Sequence, residues 1–364
     1  MVRAVVQTAP RQLEMREFPR PVIGPECGAV LRVEACGLCG TDVEQYDGTL
    51  DTGSLPSVPG HEPLGIIEEI APETAQRWGV EVGDRVAVEF PIPCRYCRDC
   101  LTGRYLYCKN WIDSYGGYFP SKRGIGLWGG FAEYMELHPN SIVHPMRKDI
   151  PAELAAMLLP LAGAVRWPLR LGEAGLGDSL LVLGAGQRGL MSVMTARHVG
   201  VGTVIITGLS RDVRKLELAR ELGADYTINV EDEDTVTRVK EVTGGDGVDV
   251  VLDLTPGAHK PVRDAIDAVR PGGTVVLAGL KGPKDIQLQT IDALINRGIT
   301  LKGAFSLDPQ AYADSIHLIE ADKLPLERIQ THQFGLDDVE HALKLLGGEV
   351  PGEEAIHIAI KPNQ

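Results

Sequence analysis

The chain has 364 residues, of which 44% are hydrophobic and 24% charged, with a formal net charge of -14. Its length exceeds one ordinary domain, and its composition supports sizeable apolar cores rather than disorder. The strong acidic excess argues against nucleic acid, whose phosphates demand clustered Lys and Arg. No uninterrupted apolar run of about 18 residues suggests a membrane span, and the first residues lack a signal-peptide core. A cytosolic protein acting on a small molecule, with no nucleic-acid or membrane partner, is the expectation.

From the N-terminus to about residue 155, short alternating runs such as Val2–Val6, Ala29–Val33 and Arg85–Val88 are broken by many Gly and Pro residues. This pattern predicts a β-rich, loop-rich domain. Within it lie Cys36-Gly-Leu-Cys39-Gly-Thr41-Asp42 and Gly60-His61-Glu62, which offer thiol, imidazole and carboxylate groups of the kind a catalytic metal uses. Each is ordinary alone, since lone Cys and His residues are commonly core or satisfied polar groups.

The cluster Cys94-x-x-Cys97-x-x-Cys100-x7-Cys108 is different, because it places four of the seven cysteines in one lobe of about residues 93–110. In a reducing compartment such bunching points to metal rather than disulfides. Four thiolates leave no open position on a tetrahedral zinc, so a structural zinc is expected.

Between about residues 156 and 300 the texture changes to apolar strands alternating with helices. The strands are predicted at Ser179–Leu183, Thr203–Thr207, Val248–Leu252 and Thr274–Ala278, with helices Leu190–Val199 and Val213–Leu222 between them. This predicts an α/β domain with a doubly wound parallel sheet. The first strand runs directly into Gly184-x-Gly186-x-x-Gly189 and a helix, the arrangement that seats a dinucleotide pyrophosphate. The second strand ends in Gly208-Leu-Ser210-Arg211-Asp212-Val-Arg214, with no acid at its tip to bond a ribose 2'-hydroxyl. Ser210, Arg211 and Arg214 would instead suit a 2'-phosphate, so NADP is favoured over NAD. Alternatively these arginines form a solvated helix start, and Asp212 turns to the ribose. The stretch 301–364 returns to mixed patterning and ends in the strand-like Ala355–Lys361, expected to rejoin the first domain.

Taken together, Gly37–Asp42, Gly60–Gly65, Val82–Val86, the four-cysteine lobe, Gly129–Tyr134 and Gly184–Gly189 occur in the order seen in medium-chain zinc alcohol dehydrogenases. Nearly the whole chain resembles that family, including its sorbitol and threonine dehydrogenase branch. The resemblance implies a GroES-like catalytic domain around a Rossmann domain, and oxidation of a secondary or cyclic alcohol or polyol with NADP or NAD. It implies Cys39 and His61 as catalytic zinc ligands, Glu62 as a carboxylate able to approach the metal, Asp42 as their support and Thr41 as the proton relay. A homodimer or homotetramer is implied as well.

The sequence departs from the family where its third ligand, a Cys, Glu or Asp, should stand, for Leu159 aligns there. Leucine cannot ligate zinc. Either Glu62 becomes the third ligand or zinc affinity is lost. The rivals are a zinc-independent enoyl or quinone reductase and a non-enzymatic scaffold. An aromatic-rich insertion, Trp111–Trp128, would cover an apolar pocket or serve as a packing or subunit-contact loop.

Overall fold

The computed structural model describes residues 1–50, 53–117, 124–282 and 291–363. Two compact units divide the chain: Met1–Leu159 with Ile319–Ala321 and Leu326–Gln364, and Pro160–Leu318 with Asp322–Pro325. The return expected at residue 301 thus comes later. Its first residues pair as a strand in the second unit's sheet and continue into a helix, Pro309–Glu320, largely of the same unit.

In chain order the first unit contributes β1 (Val2–Ala9), β2 (Gln12–Phe18), β3 (Ala29–Leu38), β4 (Glu62–Ile70), β5 (Arg85–Val88), β6 (Pro91–Ile92), β7 (Asp113–Ser114), β8 (Tyr134–Leu137) and β9 (Val143–Pro145). The second unit contributes β10 (Ser179–Leu183), β11 (Thr203–Gly208), β12 (Tyr226–Asn229), β13 (Val248–Asp253), β14 (Val269–Leu277) and β15 (Thr300–Gly303). The chain re-enters the first unit with β16 (Gln330–Phe334) and β17 (His357–Ile360).

The first unit is built on a sheet of order β16-β17-β3-β4-β5-β9, with β8 also paired to β3. Leu31, Ile67, Val86, Met135 and Leu137 form a core on it, all fully buried. Register matters most at one end. β3 and β4 run antiparallel with Gly37 opposite Glu62 and Cys36 opposite Pro63, while β17 lies on the other side of β3 with Ala359 opposite Gly37. The residues just past β3 and just before β4 are therefore brought to the same sheet end, although about twenty positions separate them.

The second unit holds a wholly parallel six-stranded sheet of order β12-β11-β10-β13-β14-β15. Renumbered within the unit this is 3-2-1-4-5-6, the Rossmann order, whose switch point lies between the first and fourth strands. Both faces are covered, so the strands read as nearly continuous apolar runs rather than alternating ones. Leu181, Ile205, Val251 and Val275 are completely buried. Among the described residues one helical stretch, 152–171, is long and apolar enough to cross a membrane by composition, but 78% of its most apolar 18 residues is buried within the protein, as in a core helix.

Much of the described part of the aromatic insertion packs inward, although Ile125 is exposed. Tyr115 is fully buried and stacks on Trp128 at 6.3 Å between ring centroids, and both join the core that contains Leu31 and Ile67. Residues 118–123 of that insertion lie outside the described residues.

Candidate active site and cofactor-binding turn

Cys39 follows β3 in extended backbone and starts the helix Gly40–Asp47. Its backbone N–H donates to Asp42 Oδ2 at 2.9 Å, which fixes the turn. The other oxygen of the same carboxylate accepts from His61 Nδ1 at 3.1 Å. One aspartate therefore sets both the Cys39 turn and the imidazole tautomer, leaving His61 Nε2 as the ring atom able to face a metal. Cys39, His61, Glu62 and Asp42 are each at least 95% buried.

Glu62 Oε1 lies 3.9 Å from His61 Nε2. A donor atom from each of Cys39, His61 and Glu62 falls within 4.8 Å of the others, close enough for one ion to touch all three. Burial opposes protonation of His61. The Asp42 carboxylate and the bond to Cys39 nonetheless hold its pKa well above the usual imidazole value. A buried thiol, imidazole and carboxylate in such proximity make a donor set that zinc fits, with a coordination position left over. Thr41 is half-buried and its Oγ1 accepts from the Cys39 thiol at 3.7 Å, so the hydroxyl stands at the edge of the donor set. Leu159 is buried and carries no donor, as the sequence implies.

The other cysteines form a second cluster. Sulfur separations are 3.4 Å for Cys97 to Cys100, 3.8 Å for Cys94 to Cys100 and 3.9 Å for Cys97 to Cys108. Tetrahedral sulfurs about 2.3 Å from a zinc would lie about 3.8 Å apart, so the observed spacing matches. Backbone N–H groups of Cys94 and Cys97 point at Cys108 and Cys94 sulfurs, both at 3.4 Å. Burial pushes the Cys94 thiol up, but N–H donors of Tyr96 and Cys97 outweigh it and bring it to about 6. Burial and the neighbouring thiols push Cys100 up to about 12. Four sulfurs this close cannot all ionise without a cation among them, which a dication provides.

In the second unit Gly184 has φ of +110°, in the range open to glycine, and turns the chain out of β10. A Cβ on Gly189 would lie 2.0 Å from Gly184 O, so only glycine lets the helix Gln187–His198 pack this close to the strand. Gly186 has open space around it, as close approach of a phosphate requires. Gly208 is buried at the end of β11, while Ser210 and Arg211 are exposed.

An acid from the turn after β12 reaches the residues beyond β11, which sequence spacing did not reveal. Asp212 is engaged locally, accepting from Leu209 N–H at 3.0 Å and pairing with Lys215 at 3.2 Å. Glu231, which follows β12, accepts the Ser210 N–H at 2.7 Å. Its only sequence signal is that β12 must pair beside β11. An ion pair at 2.7 Å between the buried Asp253, at the end of β13, and the half-buried Lys281, in the loop after β14, is equally unforeseen.

A Rossmann sheet with a glycine-rich turn, together with a buried Cys–His–Glu donor set and a four-cysteine lobe, defines the class of zinc- and nicotinamide-dependent oxidoreductases. Residues 26–148 match the alcohol dehydrogenase GroES-like domain and residues 189–321 the zinc-binding dehydrogenase family. A probable alcohol dehydrogenase of Mycobacterium tuberculosis is 40% identical, covering 100% of this chain and 99% of that one. An erythritol/L-threitol dehydrogenase of Mycolicibacterium smegmatis is 32% identical, covering 99% and 98%. A zinc-binding dehydrogenase structure from Sinorhizobium meliloti 1021, bound to NADP, superposes with a TM-score of 0.84 at 25% identity, covering 100% and 99%. The chain belongs to the zinc-dependent medium-chain alcohol dehydrogenase family. It is an oxidoreductase that uses zinc and a nicotinamide cofactor on a small alcohol or carbonyl compound.

Proposed function

We propose that the enzyme reversibly oxidises a secondary alcohol or polyol, with Cys39, His61 and Glu62 holding the catalytic zinc and Glu62 standing in for the ligand that Leu159 cannot supply. The observation that carries this reading is the convergence of those three buried donors on one point, braced by Asp42. Zinc, when bound, supplies a Lewis acid that lowers the pKa of an alcohol. Asp42 fixes Nδ1 as a hydrogen-bond donor and so turns Nε2 toward the metal, whose binding would displace any proton held there. Thr41 Oγ1 takes the proton leaving the substrate hydroxyl and passes it outward. Gly184, Gly186 and Gly189 receive the pyrophosphate of the cofactor, and Gly208, Ser210 and Arg211 border its adenosine ribose, with Ser210 and Arg211 favouring NADP. Cys94, Cys97, Cys100 and Cys108 hold a second, structural zinc. The polyol assignment draws support from the erythritol/L-threitol dehydrogenase similarity.

A cytoplasmic homodimer or homotetramer belongs to this reading; the edge strand β15, and Ile291 and Ile295 at 59% and 68% exposed, are features that an oligomer would cover. The test is turnover of a panel of secondary alcohols and polyols with NADP and NAD by the wild type, Thr41→Ser and Thr41→Ala. The serine variant keeps the hydroxyl and is expected to retain activity, while the alanine variant falls about a hundredfold or more. No alcohol oxidation alongside reduction of an activated C=C bond would overturn the reading in favour of a reductase.

A further inference from the structure

Glu231 stands on the groups that a 2'-phosphate would use. Its carboxylate accepts the Ser210 N–H at 2.7 Å and lies in the field of Arg211. The hydrogen bonds from Ser210, hydroxyl before backbone, hold its pKa below the usual carboxylate range, so it is charged at neutral pH. The placement is built by the sheet rather than by a loop alone. β11 and β12 pair in parallel with Gly208 opposite Asn229, and Val230 N–H donates to Gly208 O at 3.0 Å. Asn229 then clamps both sides of the contact. Its Nδ2 donates to Ser210 Oγ at 3.0 Å and its Oδ1 accepts from the Glu231 N–H at 3.2 Å.

We propose that Glu231 is a cofactor-specificity residue, acting from the turn after β12 in place of the missing acid at the tip of β11. A ribose bearing free hydroxyls can donate to this carboxylate. A 2'-phosphate must displace it from Ser210 and meet its charge at close range. Arg211 pulls the other way, so the NADP-to-NAD ratio is set by the balance between Arg211 and Glu231. The inference rests on the reading of this turn as the adenosine-ribose end of the cofactor site.

The experiment measures dissociation constants of NADH and NADPH by cofactor fluorescence for the wild type, Glu231→Gln, Glu231→Asp and Arg211→Gln. Removing the charge is expected to raise the NADPH-to-NADH affinity ratio about tenfold, as loss of a nearby like charge at a solvated site should. The ratio gained by Glu231→Gln narrows at high salt. Glu231→Asp keeps the charge and stays within about threefold of wild type, and Arg211→Gln lowers the ratio. If Glu231→Gln weakens or strengthens both cofactors equally, Glu231 is only a structural latch and the proposal fails. Binding of neither dinucleotide to the wild type would instead overturn the cofactor reading of the turn, and the proposal with it.

Discussion

The two glycines that flank the phosphate turn should fail in different ways when each is replaced by alanine. At Gly189 an added Cβ would stand 2.0 Å from Gly184 O and 3.5 Å from Ile206 Cδ1. Carbon atoms in proteins essentially never come within 3.0 Å of such a neighbour, so the helix start and the turn must separate by about 1 Å. Overpacking of this kind costs about 1–3 kcal/mol. At about 2 kcal/mol, in a unit of this size, the thermal midpoint falls by about 4–8 °C. Cofactor affinity falls too, because the displaced turn is the one that receives the pyrophosphate. At Gly186 no atom lies within 4 Å of the added Cβ and φ is -72°, which alanine adopts freely. Gly186→Ala should therefore change stability by less than about 1 kcal/mol, the cost of a poorer helix N-cap. It should still weaken NADH about tenfold or more, since the methyl stands where backbone must approach phosphate. Thermal denaturation and cofactor titration on both variants separate the effects. Equal midpoints for wild type and Gly189→Ala, or unchanged NADH affinity in Gly186→Ala, would refute the packing argument.

Asp42→Asn removes the charge that holds His61 and the Cys39 turn; zinc affinity and kcat/KM should fall about 10–100-fold, read by chelator competition and initial rates, and unchanged values would deny Asp42 its role. Cys97→Ser should release the lobe zinc and open residues 93–110 to limited proteolysis while the Cys39 site keeps its metal; resistance to protease equal to wild type would contradict a structural metal. His357 is fully buried, its pKa driven down to about 3 by burial, with Nδ1 bonded to Gln330 at 2.6 Å. Its folded pKa is below the unfolded value of about 6.5, so its stabilising effect is complete above about pH 6.5 and is lost as pH falls towards 3, by up to about 1.4 kcal/mol per pH unit. Unfolding free energies from urea titrations at about pH 7 and pH 5 should differ by about 2 kcal/mol less in His357→Gln than in the wild type; parallel pH slopes would exclude His357 as the source.

Both sheets were legible where the sequence is locally consistent. Ser179–Leu183 is a strand to the residue, and Val248–Asp253 exceeds its expectation by one position, because parallel strands covered on both faces read as unbroken apolar runs. β14 begins earlier than the expected Thr274, at Val269, because Arg270–Gly273 is polar and glycine-rich and forms an irregularity between the Val269 and Thr274 pairings with β13. The return to the first unit was placed too early because β15, Thr-Leu-Lys-Gly, carries little apolar signal at the sheet edge. Of the site, Cys39, His61 and Glu62 were recognisable as donors, but only the β3–β4 register shows that they meet. Glu231 was missed for the same reason. Its relation to Ser210 is made by pairing of β11 with β12, across a helix of intervening sequence.

The most direct test of the central claim is zinc content per chain in the wild type, Cys39→Ala, Glu62→Ala and Cys97→Ala, measured by atomic emission on exhaustively dialysed protein. The account predicts about two zincs in the wild type, as one open and one closed site require. Cys39→Ala and Glu62→Ala should each lose the catalytic zinc together with alcohol oxidation, and Cys97→Ala the other. A wild type holding about one zinc, lost only in Cys97→Ala, would mean that Glu62 does not replace the ligand absent at Leu159 and that the Cys39 site holds no metal.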